Sequence, residues 1–151
     1  MPHEETLASV PLFSRLGRSD LERMGKAVVS RKYAKDEEIV KEGEQAVAFY
    51  VIVNGKVGIV KGGQTVNTLG AGDFFGEMAL LDHYPRATSV IALDDTECLV
   101  MTRWDFTAEL RTDPTIALAM LPELSKRIRQ LETELDELST RLRALEGAKA
   151  D

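Results

Sequence analysis

Phe49-Tyr50-Val51-Ile52-Val53-Asn54-Gly55-Lys56-Val57-Gly58-Ile59 is the stretch on which the fold turns. Phe49 to Val53 is aromatic and β-branched, the side-chain set that suits a pleated, buried surface. Asn54-Gly55 then supplies residues that tolerate positive φ, as a tight hairpin turn requires. Val57 and Ile59 resume at alternate positions, and Gly62-Gly63 marks the next turn. Val66 and Leu69 follow, closed by Gly70 and Gly72. Upstream, Ile39-Val40 sits between charged neighbours ahead of a turn at Gly43; downstream, Thr88 to Leu93 and Glu97 to Thr102 read as strands separated by Asp94-Asp95. Short strands with a turn every roughly 8–12 residues predict an antiparallel sandwich or barrel. The strand texture breaks after Asp73-Phe74-Phe75, where Gly76-Glu77-Met78-Ala79-Leu80-Leu81 has the residue types of one or two helical turns.

Helical patterns flank this core. Ser19-Asp20-Leu21-Glu22 reads as a capping box, and Leu21, Met24 and Val28 recur at helical spacing. With Leu12, Phe13 and Leu16 before them, they predict a short helical N-terminal piece ending near Val29. At the other end Thr102 can cap a helix reaching about Arg111, and Asp113-Pro114 supplies a cap followed by proline at a first helical position. From Leu121 the residues Leu121, Leu124, Ile128, Leu131, Leu135, Leu138, Leu142 and Leu145 alternate spacings of three and four, the a/d pattern of a coiled coil. With Leu121 at a, Arg127 and Arg141 fall at g, and Glu132 and Glu146 at e. Such g-to-e pairs favour a parallel pair of helices roughly 40 Å long. The first turns can pack on the chain's own core through Ile116, Leu118 and Met120, but beyond about Leu131 the seam is expected to need a second copy. Pro122 lacks an amide donor and reads either as a hinge near Ala119 or as the start of a second helix. The expected domains are residues 1–112, a ligand-binding unit with its N-terminal helical piece, and residues 113–151, a dimerisation helix.

Composition narrows the functional classes. The chain has 151 residues, a net charge of −6, one cysteine (Cys98) and two histidines, His3 and His83. A lone cysteine forms no internal disulfide, and two distant histidines do not make a His-rich metal cluster, so no metal site is expected. No apolar run reaches the roughly 20 residues needed to cross a bilayer, and Met1 to Val10 lacks a signal pattern, so a cytoplasmic protein is expected. The densest basic group, Lys126, Arg127 and Arg129, lies among glutamates and reads as a solvated helix face, so nucleic-acid binding by this chain alone is not expected. No activated nucleophile is evident, so no catalytic residue is assigned and an enzyme is not expected.

The chemistry concentrates in Phe75-Gly76-Glu77-Met78-Ala79-Leu80-Leu81 and, after a short spacer, Pro85-Arg86-Ala87-Thr88-Ser89-Val90. Gly76 permits close backbone approach to a ligand, and the turn opened by Glu77 presents main-chain N–H groups suited to an anion. Arg86 offers a fixed cationic fork for phosphate oxygens. A carboxylate beside an anion is unfavourable unless it accepts from a hydroxyl, so Glu77 points to a sugar alcohol next to the phosphate. An apolar wall for a base completes a nucleotide pocket.

This cassette closely resembles the phosphate-binding cassette of the cyclic nucleotide-binding domain family, which includes catabolite activator proteins, protein kinase A regulatory subunits and cyclic nucleotide-gated channels. The resemblance extends from about Leu12 to Glu132. It implies a mainly β fold with α-helices: an antiparallel β-barrel of jelly-roll type, flanked by N-terminal helices and a long C-terminal coiled-coil helix. It also implies that Glu77 takes the ribose 2′-hydroxyl, and that Arg86 binds the cyclic phosphate with the amides of Gly76, Met78, Ala79 and Ala87. Thr88 and Ser89 complete the expected ligand contacts; Thr88 stands where the family usually has alanine. Members favouring cGMP often place threonine or serine after the arginine, and Ala87 there points to cAMP, with cGMP second. The hydroxyl pair that meets adenine in catabolite activator proteins corresponds to Leu131 and Glu132, leaving Leu124, Arg127 and Ile128 as candidate base caps. The implied function is a homodimeric sensor that relays cyclic nucleotide binding through the Leu121–Leu145 seam to an unidentified downstream protein. The alternatives are a DNA-binding regulator, should the chain be a fragment, and a ligand-free dimeric scaffold.

Overall fold

The computed structural model of the chain describes residues 3–82 and 84–150; Met1, Pro2, His83 and Asp151 lie outside the described residues. Helices α1 (His3–Ala8) and α2 (Arg18–Ala27) flank a 3-10 turn at Pro11–Phe13. Strands β1 (Val29–Tyr33), β2 (Glu38–Val40), β3 (Ala48–Asn54), β4 (Lys56–Lys61), β5 (Gln64–Gly70) and β6 (Phe74–Phe75) follow. A second 3-10 turn, Glu77–Leu80, precedes β7 (Ser89–Ala92) and β8 (Thr96–Thr102). Helices α3 (Arg103–Thr112) and α4 (Thr115–Ala150) end the chain.

The strands do not close into the single barrel expected from the turn spacing. They form two four-stranded antiparallel sheets, ordered β1-β8-β3-β6 and β2-β7-β4-β5. Closure needs partners around every edge; β6 has only two residues before Gly76, at φ 79°, bends the chain out of register.

The period of two in β3 explains the layering. Ala48, Tyr50 and Ile52 point between the sheets, where they meet Val57, Phe75, Val90, Cys98 and Val100. Phe49 and Val51 point the other way, into a helical layer containing Leu7, Phe13, Met24, Phe106, Ile116 and Met120. Phe13 meets Phe49 edge-on, with ring centroids 5.7 Å apart. Because both faces of this sheet are covered, β3 reads as a continuous apolar run rather than an alternating one.

Asn54-Gly55 is not the hairpin turn its residue types suggest. β3 and β4 belong to different sheets, and the dipeptide is the corner between them. A Cβ on Gly55, at φ 101°, would lie 2.6 Å from the Asp95 carbonyl oxygen and 2.7 Å from Thr96 Cα. The buried Thr96 hydroxyl accepts from the Lys56 amide and donates to the Asp94 carbonyl, which ties the corner to β8. The true hairpin joins β4 to β5 across Gly62-Gly63, both with positive φ, as a primed two-residue turn requires. Gly55→Ala combines backbone strain with a clash against main chain. We expect it to lower unfolding stability by more than about 2 kcal/mol, read as a shift in the urea midpoint, with Gly63→Ala as the unclashed comparison.

Between the sheets, burial pushes the Cys98 thiol from 9.0 to about 12, with a smaller contribution from the Glu97 charge. The proton is therefore held more tightly in the folded chain, and stability falls as pH rises from 9 toward about 12. Alkylation at pH 9.0, the ordinary value of the thiol, is expected to proceed only as fast as the chain opens; rapid labelling of folded protein would contradict this packing.

Helix α2 starts at Arg18 with Gly17 as its cap, so the capping box is not used: Ser19 already lies inside the first turn. Thr102 does cap α3, its hydroxyl accepting from the Asp105 amide at 3.2 Å. The Asp113 carboxylate accepts from the Thr115 amide at 3.1 Å and so caps α4. Arg23 of α2 meets Glu109 and Asp113 at 3.5 and 3.2 Å, fastening the α3–α4 elbow to the N-terminal helices. Helix α4 runs unbroken through Pro122, which neither interrupts it nor begins a second helix. A proline removes one ladder bond, and the turns on either side carry the helix across.

Candidate ligand-binding cleft

The cleft is built where β6 ends. Phe75 stacks on Tyr50 of β3 with centroids 4.8 Å apart and an interplanar angle of 6°. Gly76 then adopts φ 79° and ψ 15° and caps the 3-10 turn Glu77–Leu80. That conformation suits glycine, and the space is closed as well: a Cβ there would sit 2.5 Å from Arg86 Nη1 and 3.0 Å from the Ala48 carbonyl oxygen. The Arg86 guanidinium thus lies directly under the turn.

Main-chain bonds fix where Arg86 stands. Its amide donates to the Glu44 carbonyl at 2.7 Å, and its carbonyl accepts from the Gly43 amide at 2.9 Å. Its Nη2 donates to the Ala48 carbonyl at 2.7 Å, and the guanidinium lies 5.8 Å from the Tyr50 ring centroid. Burial lowers the Arg86 pKa from its ordinary value, partly offset by Tyr50. Among the described residues the partners of this half-buried cation are a carbonyl and a ring, and an anion would stabilise it.

Glu77 is buried in the turn, and its carboxylate accepts from Arg127 Nη1 of α4. It does not pair with Arg86. The two residues line adjoining hollows. One, about 320 Å³, is bounded by Val40, Ile59, Gly76, Ala79, Arg86 and Thr88. The other, about 600 Å³, lies between the β-sheets and α4, with Leu69, Glu77, Leu124, Arg127 and Gln130 on its walls. Phe75, Gly76 and Met78 border both. Their sizes fall in the range of about 300–1,000 Å³ usual for small-molecule sites.

Of the residues singled out from sequence, Gly76, Met78, Ala79, Arg86, Ala87 and Thr88 surround the smaller hollow, and Glu77, Leu124 and Arg127 the larger. Ser89 and Ile128 line neither. The Ser89 hydroxyl accepts from the Glu42 amide at 2.9 Å, and Ile128 is exposed on the solvent side of α4. The Ala79 amide donates to the Gly76 carbonyl at 3.0 Å within the turn. Sequence reading placed Phe75 in the cassette without a role, and did not single out Tyr50 or the Ala48 carbonyl. Tyr50 was detectable, because the period of two puts it on the face of β3 opposite Phe49.

The turn is also wired to the helices. Leu80 is buried in the same cluster as Phe106, Ile116 and Met120. Arg103, the first residue of α3, donates its amide to the Val47 carbonyl at 2.9 Å and Nη1 to the Asp82 carbonyl at 3.3 Å.

Residues 30–113 match the family model of the cyclic nucleotide-binding domain, more than half of the chain, and the chain belongs to that family. The cyclic AMP receptor protein of Thermus thermophilus is 36% identical over 134 residues, which are 85% of this chain and 62% of the relative. A cAMP-dependent protein kinase regulatory subunit from Mycosarcoma maydis is 36% identical over 107 residues, 66% of this chain and 20% of the relative. The crystal structure of Thermus thermophilus catabolite activator protein superimposes with a TM-score of 0.70 at 36% identity, covering 85% of this chain and 63% of that one. The chain therefore spans less than two thirds of the length of these relatives.

Proposed function

We propose that the chain is a cAMP sensor that passes ligand binding to α4 and, through it, to a second copy of itself. Two carriers support the reading: membership of the cyclic nucleotide-binding domain family, and the convergence of the Arg86 guanidinium and the Glu77 carboxylate on hollows that share Gly76. The cyclic phosphate would enter the smaller hollow and exchange the Arg86–Ala48 carbonyl bond, in which the donor alone is charged, for bonds between two charged partners. The ribose hydroxyl would donate to Glu77. The base would lie in the larger hollow against Leu69 and Leu124. Ala87 adds no hydroxyl beside the arginine, which favours cAMP over cGMP.

The ligand shifts a conformation only by its differential affinity for two states. The element available for that is the Glu77–Leu80 turn, because Leu80 packs with α3 and α4, and Glu77 grips Arg127. In this reading residues 1–112 bind and residues 113–151 report. The reporting surface is the outer stripe of α4. Leu121, Ile128, Leu131, Leu135, Leu138, Leu142 and Leu145 are each 56–63% exposed in the single chain, which suits a parallel coiled-coil partner. The similarity to the Thermus cyclic AMP receptor protein favours one further setting: in a longer chain the same module would serve a transcriptional regulator.

Titration calorimetry with cAMP, cGMP and linear 5′-AMP tests the ligand. One cAMP per chain with Kd below about 0.1 mM, weaker cGMP and much weaker 5′-AMP is the expected order. No heat from any of the three at about 1 mM would overturn the reading.

A further inference from the structure

We infer that Met78 is a peroxide-sensitive modification site: its thioether, standing where the two hollows meet, takes up an oxygen atom and thereby weakens nucleotide binding. The inference rests on the sensor reading above and adds a chemical input to the same cleft.

The sulfur atoms of the described residues divide by access. Met24, Met101 and Met120 are 0%, 1% and 3% exposed, all within the helical layer of the core, whereas Met78 is 47% exposed. Cys98, the chain's one cysteine, is fully buried between the sheets. A small oxidant in solution therefore meets Met78 before the others, which become available only as the chain opens. The turn holds Met78 in that place. Its carbonyl accepts from the Leu81 and Asp82 amides at 3.0 and 3.1 Å, and Glu77 and Ala79 on either side of it are buried. Met78 borders both hollows, the one that Arg86 lines and the one that Glu77 lines.

The oxidant is a hydroperoxide. The sulfur lone pair attacks one peroxide oxygen, the O–O bond breaks, sulfur is oxidised by two electrons to the sulfoxide, and hydrogen peroxide is reduced to water. An apolar, flexible side chain becomes a polar one whose oxygen is a strong acceptor. As read above, the cleft has to hold a phosphate anion close to the Glu77 carboxylate. A third acceptor at the junction either faces the phosphate or competes with it for the Arg86 fork, and both lower affinity. The pinned main chain leaves the turn little freedom to carry the new oxygen away. A nucleotide filling either hollow would in turn cover the thioether, so occupancy is expected to slow the oxidation.

Peroxide treatment of the full chain tests this, with peptide mass mapping to locate the oxygen and cAMP calorimetry before and after. Met78 is expected to oxidise at least about tenfold faster than Met24, Met101 and Met120, with Met1, outside the described residues, read from its own peptide. Affinity for cAMP is expected to fall at least about fivefold, and to return after treatment with methionine sulfoxide reductases for both epimers. Met78→Leu, with its own untreated affinity as the reference, is expected to lose none on exposure to peroxide. Reductase rescue of the wild type keeps the test open if that variant folds poorly. Oxidation of the buried methionines as fast as Met78, affinity that survives full conversion of Met78, or an equal loss in Met78→Leu would overturn the inference. An untreated wild type that takes up no cAMP removes the sensor reading instead, and the mass map then decides the modification site by itself.

Discussion

Arg86→Ala is expected to weaken cAMP binding by at least about 30-fold, with the fold intact. Truncating one partner of a buried, hydrogen-bonded charge pair typically costs about 2–5 kcal/mol, and each 1.4 kcal/mol is a factor of ten. The site offers little to compensate. Among the described residues Arg86 is the one cation on the wall of the smaller hollow, whose other walls are mostly apolar side chains and backbone. Removing it also ends the only side-chain bond to the Ala48 carbonyl among the described residues, and leaves room under Gly76. A lysine at 86 restores charge without the fork and is expected to recover only part of the loss. Calorimetry beside a urea melt separates a binding defect from a folding one. Undiminished affinity in Arg86→Ala would place the phosphate elsewhere.

The second large effect is expected on α4. Leu135→Glu with Leu142→Glu puts like charges at successive a positions of a parallel pair. Each leucine withdrawn from a buried seam forgoes about 1.5–3 kcal/mol, so two per chain should weaken the dimer by more than about 1,000-fold. Both positions lie beyond the part of α4 that packs on the core, where Ile116 and Met120 are the buried residues. Thermal stability of the β-sheets should therefore change little while light scattering reports a monomer. A double variant as dimeric as wild type would move self-association off this stripe.

Some of this was readable from residues alone, and particular residues show why. The run Phe49–Val53 announced a central strand because aromatic and β-branched side chains demand burial on both faces, and β3 has it. Thr102 announced the start of α3 because the cap bond is local, from residue 102 to residue 105. Asn54-Gly55 misled for the converse reason. A positive φ serves a hairpin and a sheet-to-sheet corner alike, and the difference lies in Asp95 and Thr96, some 40 residues away, against which Gly55 packs. Ser19-Asp20-Leu21-Glu22 failed as a cap because Arg18 had already entered the helix from Gly17. Pro122 gave a local signal for a break that the flanking turns of α4 outweigh. In the cleft, the motif spacing brought Gly76, Met78, Ala79, Arg86, Ala87 and Thr88 to one hollow. The pairing of Glu77 with Arg127 spans 50 residues and follows from how α4 lies across the turn, which no local pattern encodes.

In the proposed function a cyclic nucleotide sits between the Gly76–Leu81 turn, Arg86 and α4. Backbone amide spectra of the labelled chain, recorded with and without saturating cAMP, report on that placement residue by residue. The largest shifts are expected on Gly76 to Ala79 and Arg86 to Thr88, with a second group on α4 around Leu124 and Arg127. Spectra that stay unchanged at those amides, or that move chiefly at the far corner around Gly55 and Thr96, would contradict it.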